Sequence, residues 1–244
     1  MKKLLYTLLA VSLIFSACEE EVVTPTNNTG NNSTQTYVPD DNFEQSLINL
    51  GYDNVLDNYV ITSGIDTVTF LDVYYQNISD LTGIEDFTAL TDLDCGNNQL
   101  TSLDVSNNLA LSGLDCRDNQ LTSLDVSQNT AFIGIDCQNN QITSLNLSNM
   151  LLLENLFAEN NKITSLDASY NTNLIRLAIE NNELTNLDIK NGNNYNIISI
   201  SMGSNPNLTC INVDDAAWST ANSNIAYNYW SNIDPQHYFS EFCP

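Results

Sequence analysis

The sequence predicts an α/β-type solenoid: a right-handed coil of mostly short parallel β-strands, with a helical cap before it and a disulfide-stapled cap after it. Two observations carry this. Thr101, Thr122, Thr143, Thr164 and Thr185 recur every 21 residues, as do Leu103, Leu124, Leu145, Leu166 and Leu187. Within the period the apolar spacing is fixed: one window reads Leu111-x-x-Leu114-x-Cys116-x-x-Asn119-x-Leu121-x-x-Leu124, and the neighbouring windows change residues there only for other apolar ones. A unit this short cannot bury its apolar face alone, so units of this kind stack and shield one another.

Composition narrows the partners. The chain of 244 residues has 30 Asp+Glu against 6 Lys+Arg and a formal net charge of −24. Such a charge repels nucleic acid and anionic headgroups, so nucleic-acid binding is excluded, whereas cationic partners and divalent ions are permitted.

Taken in order, Met1 to Ala17 is a basic start (Lys2, Lys3) followed by an apolar run. That run falls short of the ~20 residues a bilayer span needs and fits a secretory leader. It ends Ile14-Phe15-Ser16-Ala17-Cys18, which resembles a bacterial lipoprotein signal, with Phe15 standing where Leu is usual. The resemblance implies lipidation of Cys18, and Glu19-Glu20-Glu21 resembles the surface-export signal of lipoproteins in the Bacteroides–flavobacteria group. Together they imply an exported chain, anchored by lipid to the outer membrane and facing the cell surface. Residues 18–36, rich in Thr, Asn, Gly, Ser and Pro after the acidic run, read as a disordered tether.

Residues 37–67 read as an N-terminal cap. Asp41-x-x-Glu44 has the form of a capping box, Gly51 stands at a helix end, and Phe43, Leu47, Ile48 and Leu50 supply one apolar face. Tyr59 to Ser63 and Thr67 to Val73 are strand-like. The first coil, Val68-x-x-Leu71-x-Val73-x-x-Gln76-x-Ile78-x-x-Leu81, ends in Leu81-Thr82-Gly83-Ile84-Glu85-Asp86-Phe87. That wording resembles internalin-like bacterial leucine-rich repeats over roughly residues 68–213. The resemblance implies a curved solenoid that binds a ligand.

Seven coils, starting at Val68, Leu90, Leu111, Phe132, Leu153, Leu174 and Ile197, would make a stack roughly 34 Å long at ~4.8 Å per strand. The 23-residue step from Leu174 to Ile197 implies an insertion near Gly192-Asn193-Asn194. Asn98, Asn119, Asn140, Asn161, Asn182 and Asn205 fall at one turn of each coil. An amide both donates and accepts, so it can satisfy two coils at once; a carboxylate cannot.

Cys95, Cys116 and Cys137 share one inward column and read as small buried hydrophobes, without metal-site spacing. Cys210 and Cys243 remain, and in an exported chain they are expected to pair. They would staple a C-terminal cap, residues 214–244, in which Trp218, Tyr227, Tyr229 and Trp230 pack; an exposed aromatic patch for sugar is the alternative.

Outward strand positions would line the concave face. One column reads Asp72, Asp94, Asp115, Asp136, Phe157, and beside it run Tyr74, Arg117, Glu159 and Glu180, then Tyr75, with Arg176 on the same side. Carboxylates ~5 Å apart repel by about 0.8 kcal/mol per pair even in water. The column is either a solvated pattern inherited by duplication or a docking strip for a cationic ligand or Ca²⁺; no Asp-x-Asp-x-Asp-Gly loop is present. A second ladder, Asp104, Asp125, Asp167 and Asp188 with Asn146 between, reads as turn capping. His237 is the one histidine, lies in the terminal cap and has no Ser or Cys motif beside it, and no phosphate loop or cofactor fingerprint occurs. The expected function is therefore an interaction module for a protein or peptide on the concave sheet, not an enzyme. The alternative is a carbohydrate-binding or adhesin component, Ca²⁺-assisted.

Overall fold

A computed structural model describes residues 34–223, 230–231 and 233–244. The leader, Cys18 and most of the tether lie outside the described residues, as do Tyr227 and Tyr229 of the aromatic group.

The cap begins with β1 (Gln35–Tyr37), antiparallel to β2 (Tyr59–Ile61). Gln35 and Thr36 are thus paired strand rather than tether, because Thr36 is buried and its hydroxyl meets those of Thr62 and the carboxylate of Asp86. Between the strands lies α1 (Asp41–Leu50). Its N-cap is Asp40, one residue before the expected Asp41: the Asp40 carboxylate accepts from the Asn42 and Phe43 amides at 3.0 Å. Glu44 does not reach back to the cap. It is buried and accepts instead from the amides of Asp57 and Tyr59, tying the helix to the approach of β2. Gly51 ends the helix at φ 84°, with its amide on Ile48 and that of Tyr52 on Leu47, the paired bonds that let glycine close a helix. Phe43 and Leu47 face the core, but Leu50 is 46% exposed, since the chain turns away one residue before it could pack. A single turn, α2 (Thr62–Ile65), leads into the coils.

Every coil then contributes one three-residue strand: β3 (Phe70–Asp72), β4 (Asp92–Asp94), β5 (Gly113–Asp115), β6 (Gly134–Asp136) and β7 (Asn155–Phe157). The later coils add a second short strand on another side, so β8 (Ser165–Asp167) and β10 (Asn186–Asp188) alternate with β9 (Arg176–Ala178) and β11 (Ser199–Ser201). β12 (Cys210–Asn212), α3 (Ala216–Asn222), β13 (Trp230–Ser231) and β14 (Tyr238–Ser240) close the chain. The main sheet has eight strands in the order β13-β11-β9-β7-β6-β5-β4-β3, and the second has four, β14-β12-β10-β8. Strand pairing among the coils is parallel throughout both sheets. Each strand turns its central residue inward. Leu114, Leu124 and Leu156 are buried, as the stack requires, and each contributes about 1.5–3 kcal/mol by burial.

Asparagine fastens coil to coil. The Asn119 amide donates to the carbonyls of Cys95, Cys116 and Arg117, while its oxygen accepts from Leu100 N–H at 2.9 Å. Asn140, Asn161 and Asn182 repeat the pattern, always reaching to the preceding coil. A second ladder, not anticipated from the sequence, runs through Asn108, Asn129 and Asn171: each is fully buried and donates to two carbonyls of the coil before it. Met150 takes the equivalent place between Asn129 and Asn171.

Cys95, Cys116 and Cys137 are unpaired and buried, and burial drives their thiols well above the ordinary range. Cys210 and Cys243 form the expected disulfide, which fastens the end of the chain to β12. Near the insertion, Asp214 accepts from the amides of Gly192 and Asn194, so the longer coil is laced to the start of the cap. Trp218 packs edge-on against Tyr195, with ring centres 4.8 Å apart.

Candidate functional site

The outward face of the main sheet carries the residues singled out from the sequence. Register puts Asp72, Asp94, Asp115, Asp136 and Phe157 side by side on five successive strands, followed by Ala178 and Ser201. Each of the four aspartates also accepts from the amide two residues on, at 3.0 Å for Tyr74, 3.1 Å for Gly96 and Arg117, and 3.3 Å for Gln138. The column thus does two things: it closes the turn after each strand, and it sets carboxylates on the open face.

Crowding shows in their acidities. Burial, then the like charges of Asp136 and Asp94, pushes Asp115 up to about 6, against the turn bond from Arg117 and that residue's charge. Burial also raises Asp94, with Asp72 and Asp136 adding to it, and raises Glu159 one column over. Arg117 offsets part of this: its guanidinium lies 3.2 Å from Asp115 and 3.6 Å from Asp136. It also lies over the Tyr74 ring, 5.5 Å from the centre. That contact spans two coils and exists because Gly96 stands between them; a Cβ there would sit 3.2 Å from the tyrosine ring and 3.3 Å from the arginine stem.

Not every expected residue lies flat on the sheet. Tyr75 is 66% exposed and adopts φ 57°, and Asn97, Asp118, Asn139, Asn160 and Asn181 repeat this left-handed turn. Asn and Asp enter that region with little strain, so the column is chosen by the turn. Its side chains form a rail at the sheet edge, with Asn139 donating to Asp118 and Asn160 to Asn139. Glu180 stands beyond Glu159 in the column of Arg117. Arg176 is placed in a different column and donates to Asn155 at 2.9 Å.

Of that column the sequence pointed to Arg176 alone. Two residues before the aspartates, register aligns Phe70, Asp92, Gly113, Gly134, Asn155 and Arg176. Two adjacent glycines leave an open hollow of about 510 Å³, floored at Leu114 and Ile135, edged by Asp94, Asp115 and Asp136, and closed at one end by Phe157. The signal was present in the sequence, since Gly113 and Gly134 are one period apart. It was missed because a missing side chain has no chemistry of its own.

A stack of parallel strands at one strand per coil, locked by a buried asparagine and wrapped on an aliphatic interior, decides the class. The fold is a leucine-rich repeat solenoid. No family model matches the chain. Internalin J of Listeria monocytogenes serotype 4b (strain F2365) is 38% identical over 72 residues, which is 30% of this chain and 8% of that protein. A solved structure of the functional domain of internalin J from Listeria monocytogenes, described as including a cysteine ladder, matches 74% of this chain with a TM-score of 0.59 and 32% identity. This chain covers 38% of that structure, so it spans well under half of either relative. Internalin C2 of Listeria monocytogenes agrees in fold, with a TM-score of 0.62 at 20% identity over 78% of this chain and 92% of the other. The leucine-rich repeats here are internalin-like, and the column Cys95, Cys116 and Cys137 is itself a ladder of stacked cysteines.

Among the described residues, no helix is long and apolar enough to cross a membrane, and no group of three or more His, Cys, Asp or Glu is arranged to hold a metal ion. The second aspartate ladder behaves as a turn cap: Asp104, Asp125, Asp167 and Asp188 each accept from the amide two residues on, and Asn146 does the same. His237 lies in the end-cap with its Nε2 3.5 Å from both the Asp234 carboxylate and the Asn205 carbonyl.

Proposed function

We propose that this chain is a surface-tethered interaction module that binds a protein or peptide on the open face of its main sheet. The observation that carries the reading is the hollow over Gly113 and Gly134. It is a place on that face where apolar floor, charge and an aromatic wall converge, and rigid strands hold all three. Leucine-rich repeat stacks present such faces to partners. The lipoprotein-like segment ending at Cys18 and the acidic run after it support lipidation there and attachment to the outer membrane, with residues 18–33 as the spacer.

A carbohydrate ligand is the second reading, and Phe157 beside Asp136 favours it, since a sugar ring can stack on the one and hydrogen-bond the other. The test pans the full chain, held in detergent, against a displayed peptide library and a glycan array. Peptides that bind should lose at least about tenfold in affinity, or ~1.4 kcal/mol, on the double change Asp136→Asn and Phe157→Ala. Binding by glycans alone, or peptides indifferent to that change, would overturn the protein-partner reading.

A further inference from the structure

Resting on that reading, we infer that the hollow receives a lysine or arginine side chain from an extended basic segment of the partner, its methylenes on the glycine floor and its cationic head among Asp94, Asp115 and Asp136. Three features of the site select this occupant. The floor at Gly134 is bare, with nothing within 4 Å of where a Cβ would stand, and Leu114 and Ile135 barely reach the surface beside it, while the Asp92 carboxylate leans over Gly113. Long basic side chains suit such ground, laying their stems on apolar surface while the charge stays at its edge.

The edge is acidic beyond what the chain itself neutralises. Arg117 pairs with Asp115 and Asp136 from the far side of the column, and Asp94 is in no ion pair among the described residues. Asp92 adds a further carboxylate at one end, with an oxygen 2.5 Å from where a Cβ of Gly113 would stand. Arg176, the other cation nearby, lines the end of the hollow beyond Asn155, to which its guanidinium donates at 2.9 Å, so the three aspartates lie nearer the open Gly134 floor than it does.

The arrangement also argues against a bare divalent ion. Metal ligands converge on a point at 2.3–2.6 Å for Ca²⁺, whereas these carboxylates are set in a row at strand spacing, each with one oxygen committed to a turn amide. A row of acids beside an apolar trough fits an elongated cation.

Gly134 supplies a clean test, because a Cβ built there meets nothing within 4 Å and its backbone is not in the left-handed region. Gly134→Leu should therefore fold and fill the hollow. Peptides recovered by panning the full chain should carry Lys or Arg, and replacing that residue by norleucine should weaken binding at least about tenfold. Gly134→Leu should abolish the difference between the two peptides. In ¹H–¹⁵N spectra, N-acetyl-lysine methylamide should shift the Gly113 and Gly134 amides, and the norleucine analogue should not. Peptides that bind this face without a basic residue would overturn the inference and leave the interaction reading standing. Failure of every peptide on this face would overturn both. Binding of Ca²⁺ with shifts at the same glycines, and none from the lysine probe, would also overturn the inference.

Discussion

Asp115 shows what a strict repeat does to a single side chain. Duplication puts an aspartate wherever the turn needs one, and stacking then half-buries it and presses it against Asp94 and Asp136, with the Arg117 amide and guanidinium opposing. The folded state holds the Asp115 proton up to about pH 6, above the ~3.9 of an unfolded chain. A raised carboxylate reverses the usual sign. Its ionised form subtracts from stability fully above about pH 6, and the penalty disappears below about pH 4. Asp115→Asn keeps an oxygen for the Arg117 amide, so it should melt roughly 2–4 °C higher than the parent at pH 7.5, taking the penalty as about 1 kcal/mol after solvent screening. The gap should close by pH 4 in thermal scans; an unchanged gap would show that the burial and crowding of the ionised carboxylate are not its cause. At this scale the sequence was half legible. The aspartate column and the coil-fastening asparagines could be read because the period repeats them. The left-handed turn at Tyr75 could not, since nothing in a tyrosine announces φ 57°, although Asn97, Asp118, Asn139, Asn160 and Asn181 are residue types that favour it.

For the elements, the cap helix is the instructive case. Asp40 and Asp41 are adjacent carboxylates, and pattern alone chose the second because Glu44 completes a capping box with it. Tertiary structure chose the first. From position 40 the carboxylate caps α1 and also reaches the amides of Ser79 and Asp80 and the Ser79 hydroxyl, at 2.7–3.1 Å. Burial works against its charge, but those bonds outweigh it and hold the carboxyl below its ordinary value. Asp40→Ala should therefore cost about 1–3 kcal/mol in denaturant melts, more than a simple cap. Asp41→Ala should cost under about 1 kcal/mol. Equal losses would return the cap to Asp41. The inward strand positions of the coils, by contrast, followed from the spacing, because alternation leaves little freedom; in the cap it did not suffice, since Thr62 and Ser63, read as strand, open the helical turn α2, and of Thr67 to Val73 only Phe70–Asp72 is strand.

Across the whole stack, each coil is covered by the next, so the ends carry the risk of fraying. At the C-terminal end β14 lies parallel to β12, and the Cys210–Cys243 bond closes a separation of 33 residues. Lys190 joins in, donating to the Glu241 carbonyl and lying 4.4 Å from the Phe242 ring centre. Chain entropy puts the bond at about 3–4 kcal/mol for a loop of this size. Replacing both cysteines by serine should release hydrogen-exchange protection at β14 and β12 before any loss at β5 or β6. Uniform loss along the stack would mean that the coils melt as one unit. The order of coils and the pairing were legible because both follow from counting residues; the hollow was not, because it is made of what two residues lack.

Met150 gives this molecule a built-in fault. Where its counterparts Asn129 and Asn171 each reach two carbonyls of the coil before them, a thioether brings no proton, so this level lacks that pair of bonds and keeps the Asn161 lock, the Asn149 bond to Ser127 and the strand bonds. Were the stack pulled from its two ends, tension would part it there first, into halves that divide just before Phe157, with the four stacked aspartates left together in the first.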